Sequence, residues 1–353
     1  MKIRDAGMNV NLTGEKVLVT GAGGYIGSRL VAELIACGAD VIAVDRFFFG
    51  VESLSESKGN TLLSIVKKDV RDLTAVDMEG VTAVLDLAAI SNDPSGDLNP
   101  VLTRSINRDG RINVARSAKE AGVGRYVLSS SCSVYGAAEH GFSDESTTPN
   151  PVSVYAKSNY DAEEAVFELT DSNFTVSALR NATVFGVSRR MRFDLVVNLM
   201  TLNAFERGAI TIMGGGRQWR PLVHVRDVAR GMIALLRAGP DVIAGKAYNL
   251  GVGNFQVRTI AAIVRETVPF AVQLQIAPDD VDRRNYRVSF DRLKNEIGFA
   301  AETTLEEGVR EIYEALKFGT IENSPRCSTV QWYKHILEAK KLVSDIELDG
   351  RLL

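Results

Sequence analysis

Apolar positions along this chain follow two alternating rhythms. Short unbroken apolar runs bounded by turn residues recur at 16–20, 41–45, 62–66, 83–88, 125–130 and 174–179. Runs of this length predict strands buried on both faces. Between them, 25–37, 101–121 and 155–171 carry apolar residues at helical spacing and predict helices. This βαβα order predicts an α/β fold with a doubly wound parallel sheet. After Arg180 the rhythm changes. A helix is expected at 193–207, then the run Gly214-Gly215-Gly216, then strands at 221–225 and 247–250 that return to the sheet. An amphipathic helix follows at 255–269 and a strand at 272–276. No long polar linker separates these elements, so a smaller C-terminal lobe is expected to be assembled from insertions. The expected division is 1–180 with 222–252, 181–221 with 253–325, and a helical tail at 326–353. Trp332, Ile336, Leu337 and Leu342 are the tail's apolar positions, read as docking on the body or on a subunit partner. Residues before Lys16 read as a short lead-in, and no repeat is visible.

The first strand runs into the most informative segment, Thr20-Gly21-Ala22-Gly23-Gly24-Tyr25-Ile26-Gly27. Gly21 suits a tight turn off the strand, Gly24 a close backbone approach to a pyrophosphate, and Gly27 a helix lying close on the sheet. The phosphates of a dinucleotide are then expected at the helix N-terminus, beside Tyr25 and Ile26, where N–H groups lack intrahelical partners. The second strand ends at Asp45, roughly 20 residues past the glycines, where a carboxylate grips the adenosine ribose. A carboxylate there repels a 2′-phosphate and favours NAD over NADP, although the adjacent Arg46 could accept such a phosphate. The sheet is therefore expected to be of the Rossmann type.

Composition narrows the partners. The 353-residue chain carries a net charge of −3, which leaves no basic footprint for nucleic acid or an anionic membrane. An arginine cluster in such a chain is expected to serve a local anionic ligand. Cys37, Cys132 and Cys327 are scattered without metal-ligand spacing and suggest a reducing compartment, so no metal is expected. With no apolar run of membrane-spanning length and no secretory signal in the sequence, a cytoplasmic protein is expected.

A second constellation follows the strand at 125–130. Ser129-Ser130-Ser131-Cys132-Ser133 lies at its end, and Pro151-Val152-Ser153-Val154-Tyr155-Ala156-Lys157-Ser158-Asn159 follows later. Pro151 and Ser153 are helix-start residues, which puts Tyr155 in a first helical turn. A serine hydroxyl facing such a tyrosine is a proton-transfer pair suited to a hydroxyl being oxidised by a nicotinamide. Cys132 reads as a buried filler and His224 as a core histidine. Phe47-Phe48-Phe49 reads either as packing or as the mouth of the cleft.

The chain resembles the extended short-chain dehydrogenase/reductase family, specifically its nucleotide-sugar epimerases and dehydratases, from about 16 to about 314. The resemblance rests on the glycine motif, Asp45, Lys68-Asp69-Val70-Arg71-Asp72, Leu87-Ala88-Ala89 and Asn107-Arg108-Asp109-Gly110. It also rests on the Ser-rich strand end, the Tyr155 segment, Leu179-Arg180-Asn181-Ala182-Thr183-Val184-Phe185-Gly186 and Arg220-Pro221-Leu222-Val223-His224. It implies NAD held by Asp69 and Val70 at the adenine and by Leu87, Ala88 and Ala89 beside the phosphates and ribose. Asn107 and Ser129 fall in the matching cofactor segments. It implies that Ser131 hydrogen-bonds the reacting hydroxyl and that Tyr155, as tyrosinate, removes its proton. Ser133, Thr183, Arg220 and Arg287 are the implied substrate contacts, with the two arginines on the diphosphate of a nucleotide-sugar. The first domain is then the NAD-binding one and the second lobe the nucleotide-sugar one. The resemblance further implies a homodimer through the helices at 101–121 and 155–171, where Ile112, Val166 and Leu169 are apolar.

Two departures bear on the reaction. The family places a lysine four residues after the tyrosine, where it holds the nicotinamide ribose and lowers the tyrosine pKa; this chain has Asn159. Lys157 lies two positions from the tyrosine, on nearly the opposite side of a helix. Family 4,6-dehydratases carry Asp-Glu after the Ser/Thr, and here Cys132-Ser133 stand there. The expected activity is NAD-dependent epimerisation of a nucleotide-sugar, at C4, through a transient keto intermediate. The alternatives are a nucleotide-sugar dehydrogenase or ketoreductase with net redox change, and a non-catalytic NAD- or nucleotide-sugar-binding protein.

Overall fold

The structure, a computed structural model, describes residues 10–136, 141–278 and 285–351. Residues 1–9 of the expected lead-in and 352–353 of the expected tail lie outside the described residues. The six apolar runs of the first half form β1 (Lys16–Thr20), β2 (Asp40–Asp45), β3 (Leu63–Lys67), β4 (Ala83–Asp86), β5 (Arg125–Ser131) and β6 (Thr175–Asn181). The second half adds β7 (Thr183–Phe185), β8 (Ala209–Met213), β9 (Trp219–His224), β10 (Lys246–Leu250), β11 (Gly253–Gln256) and β12 (Gln273–Ala277).

The main sheet has seven parallel strands in the order β10-β6-β5-β4-β1-β2-β3. Its central strands are buried throughout, as Val17, Leu18, Val19, Val84 and Leu85 illustrate. β3, at the edge, has no fully buried residue, although Leu63 and Val66 pack against the cores on the two faces. Helices Tyr25–Ala36 and Val225–Arg237 cover one face, with Leu30, Leu34, Val228 and Met232 in a shared core. Helices Arg111–Glu120 and Val154–Phe167 cover the other, through Val114, Ala118, Ala162 and Val166. This is the doubly wound architecture expected from the alternating pattern.

Three expectations need correction. The strand predicted at 221–225 does not return to the main sheet; β9 pairs with β7 in parallel and with β11 antiparallel in a separate sheet. Its Leu222 and the Phe185 of β7 share a separate hydrophobic core with Val197, Ile260 and Val309. An apolar run identifies a strand but not its neighbour, and the place beside β6 is taken by β10. The helix predicted from 255 begins at Val257, because Phe255 and Gln256 belong to β11. The helix predicted at 101–121 is interrupted: Pro100–Arg104 and Arg111–Glu120 flank a wider π-type turn at Ser105–Gly110. Such turns are rare and gather at functional sites.

Of the apolar positions on the two helices expected to pair, Ile112 is buried. Val166 is buried in the chain's core and Leu169 packs against it. The tail forms helix Thr329–Ile346. Trp332 Nε1 donates to Phe48 O at 2.6 Å, and Tyr333 packs on the Phe48 and Phe49 rings. Docking stops there, since Leu337 is 36% and Leu342 61% exposed. Among the described residues no helix is long and apolar enough to cross a membrane.

Candidate active site

One cleft opens at the carboxyl ends of β1, β2, β4 and β5, the place where doubly wound sheets bind ligands. It gathers most of the residues singled out from sequence. Gly21, Gly24, Tyr25, Ile26, Gly27, Asp45, Arg46, Asp69, Val70, Leu87, Ala89, Ser129, Ser131, Ser133, Tyr155 and Thr183 all line it. Ala88, Asn107, Asn159, Arg220 and Arg287 are not among its lining residues.

The glycine turn has the shape its chemistry requires. Gly21 has φ +65°, a left-handed conformation that side chains disfavour. A Cβ at Gly27 would lie 2.1 Å from Gly21 O, so any larger residue pushes the helix off the turn. Helix Tyr25–Ala36 starts with no side-chain cap and no acidic residue in its first turn. Its positive end is thus open for phosphate.

At the β2 end of the cleft, both Asp45 oxygens accept backbone N–H groups, from Gly23 at 2.9 Å and Phe47 at 2.6 Å. Burial nevertheless pushes the Asp45 carboxyl up, against those hydrogen bonds. Arg46 pairs with Asp69 at 3.0 Å and lies over the Phe48 ring. Arg71 holds the same Asp69 at 2.7 Å, and its hydrogen bond draws that carboxyl well below the usual range. The cation beside Asp45 is thus engaged by a carboxylate. Phe48 and Phe49 line the cleft while Phe47 packs on the core, so the aromatic triplet does both things the sequence left open.

Beneath the cleft, Thr20 Oγ1 accepts the Leu87 and Ala88 N–H groups, each at 3.1 Å, and donates to buried Asp86. Tyr126 donates to the other Asp86 oxygen at 2.5 Å. This fixes the Leu87-Ala88-Ala89 segment. Asn107, on the π-type turn, brackets Ile90 through its amide, accepting from Ile90 N at 2.8 Å and donating to Ile90 O at 3.0 Å. It shapes the wall without lining it.

The reacting end brings strand and helix together. Ser153 caps helix Val154–Phe167 by accepting from Ala156 N at 3.0 Å, which puts Tyr155 in the first turn. The Tyr155 side chain and Ser131, at the end of β5, line the same stretch of the cleft. Burial raises the Tyr155 pKa, and Arg111 and the Ser131 hydroxyl oppose the rise. Asn159 is fully buried: its Nδ2 donates to Tyr155 O at 2.8 Å and its Oδ1 accepts from Arg111 Nη1 at 2.6 Å. Lys157 is exposed and pairs with Asp161 at 2.6 Å, away from the cleft.

Cys132 is fully buried, donates to Arg180 O at 3.1 Å, and has its thiol pushed up by burial. Neither a thiol so raised nor the Ser133 hydroxyl is a good acid near neutrality. His224 is a satisfied core residue, bonded to Glu311 at 2.7 Å and accepting from Arg226 N at 3.2 Å. Arg220 donates to Trp219 O at 2.8 Å, and the Arg287 guanidinium lies over the Phe142 and Trp219 rings.

Several cleft residues escaped the sequence reading. Arg190, Arg192 and Tyr333 line it, and Arg111 borders both the cleft and Asn159. The run Arg189-Arg190-Met191-Arg192 in a chain of net negative charge was a visible signal for two of them. Arg190 lies 3.6 Å over the Phe49 ring; burial and the neighbouring Arg192 draw it down to about 10. Tyr333 and Arg111 had no local signal. Three lining residues, Ser133, Asn181 and Arg190, hold buried polar atoms (Oγ, Oδ1 and Nε) without a hydrogen-bond partner among the described residues. Such atoms are costly in an apolar setting. Together with the open helix end and Asp45, they fit a polar dinucleotide lying along the cleft.

The comparisons agree. Residues 17–251 match the model of the NAD dependent epimerase/dehydratase family. The UDP-glucose 4-epimerase of Mycolicibacterium smegmatis is 30% identical, over 85% of this chain and 97% of its own length. UDP-glucuronic acid decarboxylase 1 of Arabidopsis thaliana is 27% identical, over 83% of this chain and 68% of its own. The solved structure of MoeE5 in complex with UDP-glucose and NAD superposes with a TM-score of 0.75 at 28% identity, covering 87% of this chain and all of that one. With a glycine turn before an uncapped helix, a carboxylate at the end of β2 and a serine and a tyrosine in one cleft, on a chain whose residues 17–251 match the family model, this protein belongs to the NAD dependent epimerase/dehydratase family and is an NAD-dependent enzyme.

Proposed function

We propose that the protein epimerises a nucleotide-activated sugar at C4 through a transient keto intermediate. The observation that carries this is the Ser131–Tyr155 pair in the cleft, next to Cys132 and Ser133 where family dehydratases hold their acid and base. NAD, when bound along the glycine turn and Asp45, supplies the acceptor and later the donor of hydride. Ser131 orients the reacting hydroxyl, and Tyr155 as phenolate takes its proton. After the keto-sugar turns over, Tyr155 would return the proton to the sugar oxygen. Elimination of water needs a further acid and base, and buried Cys132 is a poor one. Arg190, with its unpartnered Nε, supports a phosphate-bearing ligand in the same cleft.

The test is incubation with a panel of nucleotide-sugars, including UDP-glucose and UDP-glucuronic acid, with products resolved by NMR and mass spectrometry. The expected product has the substrate's mass and inverted configuration at C4, without net NADH. Loss of water or of carbon dioxide overturns the reading, as does stoichiometric NADH release.

The arrangement at Asp45 also predicts cofactor choice. Arg46 is held by Asp69, leaving the Asp45 carboxylate to face the ribose. Calorimetry on cofactor-free protein should give NAD an affinity about tenfold or more above that of NADP, at least about 1.4 kcal/mol. Equal affinities would transfer the role to Arg46.

A further inference from the structure

The residue that replaces the family lysine does not stand alone. Asn159 is 0% exposed and both ends of its amide are used, one on Tyr155 O and one on Arg111. Arg111 is 2% exposed. Its guanidinium has three hydrogen-bond acceptors: Asn159 Oδ1 at 2.6 Å, Ser129 O at 3.0 Å and Ala88 O at 3.2 Å. None is a carboxylate, so its charge is oriented without being neutralised by contact. The acceptors belong to the ends of the two strands that frame the cleft and to the helix that carries Tyr155.

We propose that Arg111, clamped by Asn159, is the cation that favours ionisation of Tyr155 in this protein, the part a lysine at position 159 plays in resembling enzymes. The charge has moved from the tyrosine's own helix to the neighbouring helix Arg111–Glu120, and Asn159 is the bracket that holds it. Arg111 is thus a positioning residue, acting through the Tyr155 phenol. This rests on the reading of Tyr155 as the proton acceptor.

Charges from every side bear on the phenol. Arg192 adds to the cationic field but is shared with Asp194 at 3.0 Å. Asp93, which accepts from Ser153 Oγ, opposes it. On the sheet side, Asp86 faces Arg111, with its oxygens occupied by Thr20 and Tyr126. Lys157 is spent on Asp161 in solvent. None of the hydrogen-bond partners of Arg111 is a carboxylate, whereas Arg192 is paired with Asp194.

The test follows the Tyr155 phenol by its ionisation absorbance in NAD-loaded protein, as the difference between each protein and its Tyr155→Phe counterpart. Arg111→Gln should raise the titration midpoint by about one pH unit, and Arg111→Lys should keep it within about half a unit of the native value. The alkaline limb of sugar oxidation should move with the midpoint. A rise below about half a unit in Arg111→Gln overturns the proposal, as does an equal rise in Arg111→Lys. If Arg111→Gln does not fold, Asn159→Asp keeps the hydrogen bond from Arg111, loses the one to Tyr155 O and neutralises the guanidinium; its midpoint must rise, and an unchanged or lower one overturns the proposal. Activity of Tyr155→Phe separates the two readings. If that variant still oxidises sugar, Tyr155 is not the base, whereas the optical titration reports the coupling of Arg111 to the phenol in either case.

Discussion

Tyr155→Phe is expected to lose oxidation of the sugar hydroxyl by about a hundred- to ten-thousand-fold, the usual contribution of a positioned general base. Only the phenol oxygen is removed, and that oxygen meets Ser131 at the reacting end of the cleft. Asp45, the glycine turn and the Leu87-Ala88-Ala89 segment at the cofactor end are untouched, so calorimetry should find NAD affinity nearly unchanged. Single-turnover measurement of reduced nicotinamide isolates the chemical step. The pH profile has a definite sign. Burial raises the Tyr155 pKa, so the phenolate fraction is small at neutrality and grows with pH. The native rate should therefore climb on the alkaline side and level off above that pKa. A variant as fast as the native protein removes Tyr155 from the chemistry.

The second large effect concerns stability beneath the same site. Arg180, on β6, and Glu163, on the helix that carries Tyr155, form a buried ion pair at 2.6 Å. Arg180 Nε reaches both carboxylate oxygens, and its Nη1 donates to Tyr135 Oη at 2.9 Å. Ser130, next to Ser131, donates to Glu163. Glu163→Ala leaves the guanidinium buried without its counter-charge and should destabilise the protein by about 3–5 kcal/mol. Denaturant titration should show a much lower midpoint. The paired replacement Glu163→Leu with Arg180→Met should regain most of it, because removing both charges also removes the desolvation penalty. If Glu163→Ala leaves the midpoint unchanged, the pair does not anchor the helix to the sheet.

What the sequence determined was local. Apolar runs of strand length alternating with helical spacing marked six strands of the seven-stranded sheet, most clearly the central β1 and β4, where burial on both faces favours apolar residues. The glycine turn was legible because the φ of Gly21 and the absence of a side chain at Gly27 follow from residue type alone. Asp45 was legible by its place at the end of β2, and Tyr155 by the capping Ser153 two residues earlier. The tertiary structure decided what depended on distant neighbours. β9 reads as a strand of the main sheet but pairs with β7 and β11, since pairing is chosen by which apolar faces remain uncovered once the sheet has formed. Tyr333 reaches the cleft because Trp332 docks on Phe48, a contact across most of the chain. Asn159 read as a lost charge until Arg111, one helix away, was found on its side chain. A charge acts through space rather than along the chain, so its donor could be recognised only once the two helices lay side by side on the sheet.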